Sequence, residues 1–416
     1  MKKYTPEIDF EEEQKDGQLL LEEMARNGAQ KMLACALEAE IELHLAKYKN
    51  VTAENGQKLV VRNGYHPERK IITGIGPLTV KQPRVDDRDL DGKERFSCKI
   101  LPRYMRRAPS IDNLVPVLYL KGVSTNEMQG ALSSIIGEGV KGLSPATVVR
   151  MKQLWEAEYQ TWSKRDLSGK EYVYIWADGI HCNVRLDDQK TCLLIIMGAD
   201  KDGKKELIAV NDGYRESKAS WKEILLDVKQ RGLKKAPKLA VGDGALGFWA
   251  ALDEECPATK HQRCWVHKTA NILDKLPKAI QSKAKAMIQN MYMADTQENA
   301  WKAYDLFVAA FQDKYPKAVE CLVKDRDRLF TFYQFPAVHW IHIRTTNPIE
   351  STFATVRNRT RSTKGCGSRT ATLTMVYKLC LEAEKTWHKL KGHNLIELVI
   401  QDKIFVNGEL VDETAA

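Results

Sequence analysis

Long apolar runs are missing from this chain. The longest, Leu114–Leu120 and Leu193–Ala199, fall far short of the roughly 20 residues that a membrane helix needs. Met1 to Gln14 is rich in charge and holds no apolar stretch, which argues against a secretory leader. No internal repeat or low-complexity tract is visible. The nine cysteines are odd in number and form no disulfide-like framework, the pattern of reduced thiols. These absences predict a soluble, cytoplasmic protein.

With 416 residues, the chain exceeds one compact core, and domains of roughly 100–200 residues suggest two or three units. Its 64 Lys and Arg against 55 Asp and Glu leave a net charge of +9. That excess favours polyanionic partners without identifying one.

Six regions follow from patterning. Residues 1–58 carry Leu20, Leu21, Met24, Met32, Leu33, Leu37, Ile41 and Leu45 at mostly helical spacing, predicting one or two amphipathic helices that serve either as a surface layer or for self-association. Residues 59–110 predict a β-hairpin, Ile71-Ile72-Thr73 and Leu78-Thr79-Val80 flanking a glycine turn. Arg69, Lys70, Lys81 and Arg84 decorate it as candidate DNA contacts, although nearby Asp86 and Asp87 also fit a mixed solvated face. Residues 111–168 read as helices broken at Lys121-Gly122, with Ser144 and Pro145 opening another. This is the outline of a helix-turn-helix, and equally of a plain helical hairpin.

Residues 169–272 alternate between strand and helix. Tyr172 to Ala177, His181 to Leu186 and Thr191 to Gly198 predict three strands separated at Asp178-Gly179 and Asp187-Asp188. Further strands are expected at Lys238 to Gly242 and Ala258 to Cys264, with helices at Glu216 to Arg231 and Leu246 to Glu254. The order implies an α/β fold, a mixed sheet with helices on its faces. Residues 273–335 predict an all-helical insertion, and residues 336–416 two further helices and a tail.

Three acidic motifs carry the chemistry: Trp176-Ala177-Asp178-Gly179, Val241-Gly242-Asp243-Gly244 and Thr346-Asn347-Pro348-Ile349-Glu350. Phosphodiester cleavage requires an activated oxygen nucleophile and a neutralised anion, which two magnesium ions about 3.5–4 Å apart supply when two or three carboxylates hold them. Asp178, Asp243 and Glu350 suit that task. Each also has an ordinary explanation. Asp-Gly is a common turn dipeptide; Asn347 as N-cap, Pro348 at N1 and Glu350 at N3 make a capping box.

The basic cluster around the third motif favours the metal reading. Arg344, Arg357, Arg359, Arg361, Lys364 and Arg369 surround Glu350, the one acid between positions 344 and 369, as a surface for DNA phosphates would require. Cys256, His261, Cys264 and His267 offer zinc-type ligands; the competing reading gives Cys264 and His267 a packing or site-supporting role.

Taken in order, these segments resemble the Mutator-type bacterial insertion-sequence transposases of the DDE class. The likeness rests on Asn63-Gly64-Tyr65 with the hairpin through Pro83-Arg84, the Asp178 strand, Gly242 to Gly247, Gln262-Arg263-Cys264-Trp265-Val266-His267, and Thr345 to Ser351 with Arg357 to Lys364. The resemblance implies a ribonuclease H-like core interrupted by a helical insertion. It makes Asp178, Asp243 and Glu350 the metal triad, served by two Mg2+ or Mn2+ ions, with Cys264, His267 and Asn347 in support. It further implies binding of terminal inverted repeats and target DNA, strand cleavage and transfer, a homodimer or higher homo-oligomer on DNA, and a nucleoid-associated location in a bacterium. The alternative is a non-catalytic DNA-binding regulator descended from a transposase; a host nuclease or junction resolvase would not need so large an N-terminal region.

Overall fold

The computed structural model describes residues 10–87, 95–124, 127–136, 145–184, 191–213, 215–362 and 366–411, without the side chains of 10–19, 145–148 and 362. The chain forms two compact units, Met1–Val148 and Val149–Ala416. Among the described residues, no helix is long and apolar enough to cross a membrane.

In the first unit, the predicted N-terminal helices are one continuous helix, α1 (Phe10–Lys47). Strands β1 (Val61–Tyr65), β2 (Arg69–Thr73), β3 (Gly76–Val80) and β4 (Pro83–Asp86) follow. The expected hairpin is β2 and β3, paired from Arg69↔Val80 to Thr73↔Gly76. Asn63-Gly64 is a bulge where β1 pairs antiparallel with β4, and Gly64 has φ +62°, a backbone region open to glycine at little cost. Leu37 of α1 packs with Ile71, Leu78, Val80 and Leu101. Helices α2 (Pro109–Leu120) and α3 (Met128–Ile136) come next. Gly122, at φ +113°, ends α2 near the predicted break. Ser144, the predicted cap, lies outside the described residues. Helix α4 (Pro145–Ser163) contains the division between the units.

The second unit is built on a sheet of β5 (Tyr172–Cys182), β6 (Thr191–Asp200), β7 (Lys205–Gly213), β8 (Leu239–Gly242) and β9 (Lys260–Arg263). Their order is β7-β6-β5-β8-β9. β5–β6 and β6–β7 are antiparallel, whereas β5–β8 and β8–β9 are parallel. The fold is thus mixed α/β, as expected. Two details differ from the sequence reading. Asp178-Gly179 is not a turn, because β5 keeps its antiparallel pairing with β6 through both residues to Cys182↔Thr191. The strand β7 was not anticipated; it follows a tight turn in which Asp200 Oδ1 accepts from the Asp202 and Lys204 N–H groups. The predicted turn at Asp187-Asp188 lies outside the described residues.

β6 is buried along nearly its whole length, as a strand covered on both faces must be, and so reads as an unbroken apolar run. Side chains of β5 alternate between the faces. Ile175 and Ala177 pack with Trp221 of α5 (Lys218–Gln230) and with Phe248 and Trp249 of α6 (Leu246–Glu255). On the other face, Tyr174 OH bonds to His339 Nδ1 at 2.8 Å, and Trp176 Nε1–H donates to the His342 carbonyl at 2.9 Å.

Between β9 and the third acidic motif the chain contains no strand. It runs through α7 (Trp265–Leu273), α8 (Lys278–Tyr292), α9 (Gln297–Phe311) and α10 (Pro316–Val323), then short 3-10 turns and α11 (Trp340–Ile343). Helices α12 (Asn347–Ser362) and α13 (Arg369–Glu384), the short α14 (Ile396–Ile400) and a two-stranded ribbon of β10 (Phe405–Val406) and β11 (Glu409–Leu410) complete the unit.

His339 Nε2 faces the Gly392 carbonyl at 2.9 Å; since a carbonyl only accepts, this nitrogen carries the proton and Nδ1 accepts from Tyr174. His342 Nε2 accepts the Lys391 N–H at 3.1 Å, so it is bound as the neutral ring. Burial first, then the charges of Lys205, His339 and Lys391, push His342 down to about 4. An unfolded histidine titrates near 6.5, so between pH 6.5 and about 4 the unfolded chain takes up protons that the folded one refuses, and stability falls as pH falls. His342→Gln should therefore retain roughly 2–4 °C more of its pH 7.5 Tm at pH 5 than the parent chain, equivalent to about 1 kcal/mol after allowance for partial exposure. Melting curves across that range check this; an identical pH slope in the variant would refute it.

Candidate active site

The parallel pairing of β5 with β8 ends at Ala177↔Gly242, one residue before Asp178 and Asp243. Both carboxylates are therefore delivered side by side where the parallel pairing stops, Asp178 within β5 and Asp243 just after β8. Asp178 is 5% exposed. Its Oδ1 accepts the Gly179 N–H at 2.8 Å, while Oδ2 is buried with no hydrogen-bond partner. Burial and next the charge of Asp243 push the Asp178 carboxyl up to about 8; Glu350 adds to the rise and His267 opposes it. An orphaned buried oxygen of this kind is costly unless something satisfies it.

Asp243 opens the loop between β8 and α6, and its Oδ1 accepts the Ala245 N–H at 2.9 Å. The glycines around it are required by space. Gly244 has φ +95°, and a Cβ there would stand 2.3 Å from Arg263 Nε; one at Gly247 would stand 2.3 Å from the Glu216 carbonyl.

Glu350 lies in the first turn of α12. Its N–H donates to the Thr346 carbonyl at 3.0 Å, which makes Thr346 the N-cap, one residue before the predicted Asn347. Asn347 is exposed, and its N–H reaches Thr345 Oγ1 at 3.4 Å. The Glu350 carboxylate does not return to the cap backbone as a capping box would require. Oε1 lies 3.2 Å from His267 Nε2, and Oε2 pairs with Arg357. The bond from His267, with help from Arg357, holds the Glu350 carboxyl below the usual range against the effect of burial.

Cys264 and His267 hold this glutamate's helix in place. The Thr346 N–H and Oγ1–H donate to Cys264 Sγ at 3.2 and 3.3 Å, and Thr346 Oγ1 lies 3.3 Å from His267 Nδ1. Bonds to Cys264 and then Glu350 raise His267 to about 10. Burial would raise the Cys264 thiol, but His267 and Thr346 bring it below its ordinary value. The four zinc-type ligands do not form one group among the described residues: Cys256 lies in the apolar cluster with Trp249, His261 stacks on Trp249 at 4.6 Å and pairs with Asp253 at 3.2 Å, and Cys264 and His267 meet Thr346.

One ligand atom each from Asp178, His267 and Glu350 lies within 4.8 Å of the other two. The structure thus brings two of the predicted acids together with a histidine. Asp243 is a charge neighbour of Asp178 without joining a group of that tightness. His267 entered the sequence reading as a supporting residue, and only its Cys-x-x-His spacing hinted at contact with the acids.

The predicted basic contacts fall into different classes. Arg357 and Arg361 are exposed on α12, as are Lys70, Lys81 and Arg84 in the first unit. Arg359 is buried on the face of α12 that also holds Phe353 and Val356. Arg344 donates to the Tyr292 carbonyl at 2.9 Å, and Arg369 pairs with Asp212 at 3.0 Å and Thr191 at 3.0 Å. Arg69 is spent within its own unit, on the Arg103 carbonyl at 2.5 Å, Gln82 Oε1 at 3.0 Å and the Pro102 carbonyl at 3.1 Å. Lys364 lies outside the described residues.

Residues 1–390 match the family model for "Transposase, Mutator family". The chain is 50% identical over 302 residues to the transposase for insertion sequence element IS6120 of Mycolicibacterium smegmatis, covering 73% of this chain and 93% of that one. It is 55% identical over 267 residues to the IST2 transposase of Acidithiobacillus ferrooxidans, covering 62% and 88%. To the IS905 transposase of Lactococcus lactis subsp. lactis (strain IL1403) it is 28% identical over 344 residues, 82% and 84% of the two chains. Among solved structures, the Drosophila P element transposase strand transfer complex aligns with a TM-score of 0.28 and 8% identity over 77% of this chain and 85% of that chain, too loose a likeness to bear on what this chain does. The family match and the IS6120 relative are enough: the chain belongs to the Mutator family of transposases.

Proposed function

We propose that this transposase cleaves and joins DNA by metal-dependent phosphodiester chemistry, with Asp178, Asp243 and Glu350 holding the cations. The buried, unpartnered Oδ2 of Asp178 beside Glu350 carries this reading. Carboxylate oxygens are the donors that hard divalent cations prefer, and a cation would satisfy the oxygen that the protein leaves bare. Two Mg2+ or Mn2+ ions, when bound, would supply an activated oxygen nucleophile and stabilisation of the leaving oxygen. Strand order and direction in the sheet support a ribonuclease H-like core with α7–α10 as its helical insertion.

The chain's own groups have distinct tasks. Asp178, within β5, and Asp243, just after β8, lie side by side where the parallel β5–β8 pairing stops. Glu350 is held by His267 and Arg357, and the Cys264–Thr346 bonds fix the turn that presents it. Exposed Arg361 on α12, with Lys70, Lys81 and Arg84 in the first unit, would take DNA phosphates, a sequence-independent and salt-sensitive role. Terminal inverted repeats and target DNA are the proposed substrates, bound by a homodimer or larger homo-oligomer.

Asp178→Asn, Asp243→Asn and Glu350→Gln should each lower Mg2+-dependent cleavage and joining of DNA carrying the element's ends by about 100-fold or more, about 2.7 kcal/mol or more of barrier, while gel-shift affinity in EDTA stays unchanged. Retained products in any of the three, or metal-independent products in the parent, would reject the assignment. Thr346→Val removes one donor to Cys264 and the contact with His267. Its single-turnover cleavage rate should fall roughly 10–100-fold, the usual effect of losing support behind a metal ligand, whereas Thr346→Ser should restore most of it. Equal rates for the Val and Ser variants would deny the hydroxyl this positioning role.

A further inference from the structure

The alternation that sends Asp178 to one face of β5 sends Gly179 and His181 to the other. His181 stands directly opposite Cys192 of β6, and Cys192 is 1% exposed within the apolar cluster that includes Trp221 and Phe248. The third residue in that row, on β7, is Gly213. Glu216 comes in over this row from the position immediately before Ser217, the N-cap of α5.

Glu216 is held tightly there. A Cβ at Gly247 would stand 2.3 Å from its carbonyl, and a Cβ at Gly179 would stand 2.5 Å from its Oε1. The carboxylate therefore occupies the space that any side chain at position 179 would need, and Oε1 lies 3.4 Å from His181 Nε2. One ligand atom from each of His181, Cys192 and Glu216 lies within 4.8 Å of the other two.

We propose that His181, Cys192 and Glu216 form a transition-metal site of the zinc class, on the face of the sheet opposite Asp178. A nitrogen, a sulfur and an oxygen donor are a set that zinc accepts, while a thiolate selects against magnesium and calcium. Bond lengths of about 2.0–2.3 Å place tetrahedral ligands about 3.4–3.6 Å apart, within reach of small side-chain rotations. The wall is closed on the Cys192 side and open at His181, whose side chain is 53% exposed, so a fourth position faces solvent. Binding exchanges the Cys192 thiol proton, released to buffer, for a sulfur–metal bond. Glu216 also has Asp243 as a charge neighbour, so the cation would sit behind the loop that carries that carboxylate. The site does not depend on the proposed strand-cleavage chemistry.

The test uses the full-length protein, stripped with EDTA and titrated with Co2+ under anaerobic, reducing conditions. One equivalent should give a thiolate-to-cobalt charge-transfer absorption that Zn2+ abolishes on addition. Cys192→Ser should remove this band and Cys264→Ser should retain it, as should the Asp178→Asn/Glu350→Gln double variant. His181→Gln, a change at a half-exposed position that need not disturb folding, should weaken Zn2+ binding about tenfold or more with an unaltered far-ultraviolet circular dichroism spectrum. Absence of the band in the parent protein overturns the proposal. So does its persistence in Cys192→Ser, its loss in the Asp178/Glu350 double variant, or unchanged Zn2+ affinity in a folded His181→Gln.

Discussion

The second unit depends on the hydrogen-bonded junction at Gln262–Lys268. Gln262 donates to the Leu329 carbonyl at 3.0 Å and accepts the Phe332 N–H at 2.9 Å; Trp265 Nε1–H reaches the same Leu329 carbonyl at 2.8 Å. Arg263 and Lys268 converge on Asp325 at 3.0 and 2.6 Å. The Trp265 N–H bonds to the Arg344 carbonyl at 3.0 Å. A long helical excursion is thereby closed at its base, and the chain re-enters beside the strand it left. These buried groups are satisfied as a set, and removing one partner would strand the others, typically at several kcal/mol. Glu350 reaches Asp178 because this junction brings the two ends of the excursion together.

Much of the sheet was legible because burial leaves a simple signal. β6 and β8 are apolar on both faces, β2 and β3 flank a glycine turn, and the excursion has helical spacing through α10, after which short 3-10 turns and α11 follow. Dipeptide chemistry misled where tertiary pairing overrode it: Asp178-Gly179 looks like a turn, yet β6 extends alongside and Glu216 fills the space over the glycine. β7 escaped notice because its first residues, Lys205 and Glu206, hide a short apolar run.

The site was legible as types of residue and less so as partnerships. The three acids stood out by motif. Nothing local distinguished Arg361, exposed on α12, from Arg359, buried two residues earlier, or from Arg344 and Arg369, which bond to distant carbonyl, hydroxyl and carboxylate groups. Such fates depend on which helix face meets the sheet. The cap of α12 moved by one residue for a similar reason: Thr346 turns its hydroxyl toward Cys264 and His267, while its carbonyl starts the helix. Glu216 carried no motif, and only the fold brings it over Gly179.

Glu350 illustrates what such partnerships entail. Its two oxygens already face the His267 imidazole and the Arg357 guanidinium, so protein groups take up part of what the carboxylate can accept. Each carboxylate oxygen keeps a second lone pair, so a cation held by Glu350 would share that carboxylate with His267 and Arg357. The two protein cations would then fix the side from which that carboxylate remains open.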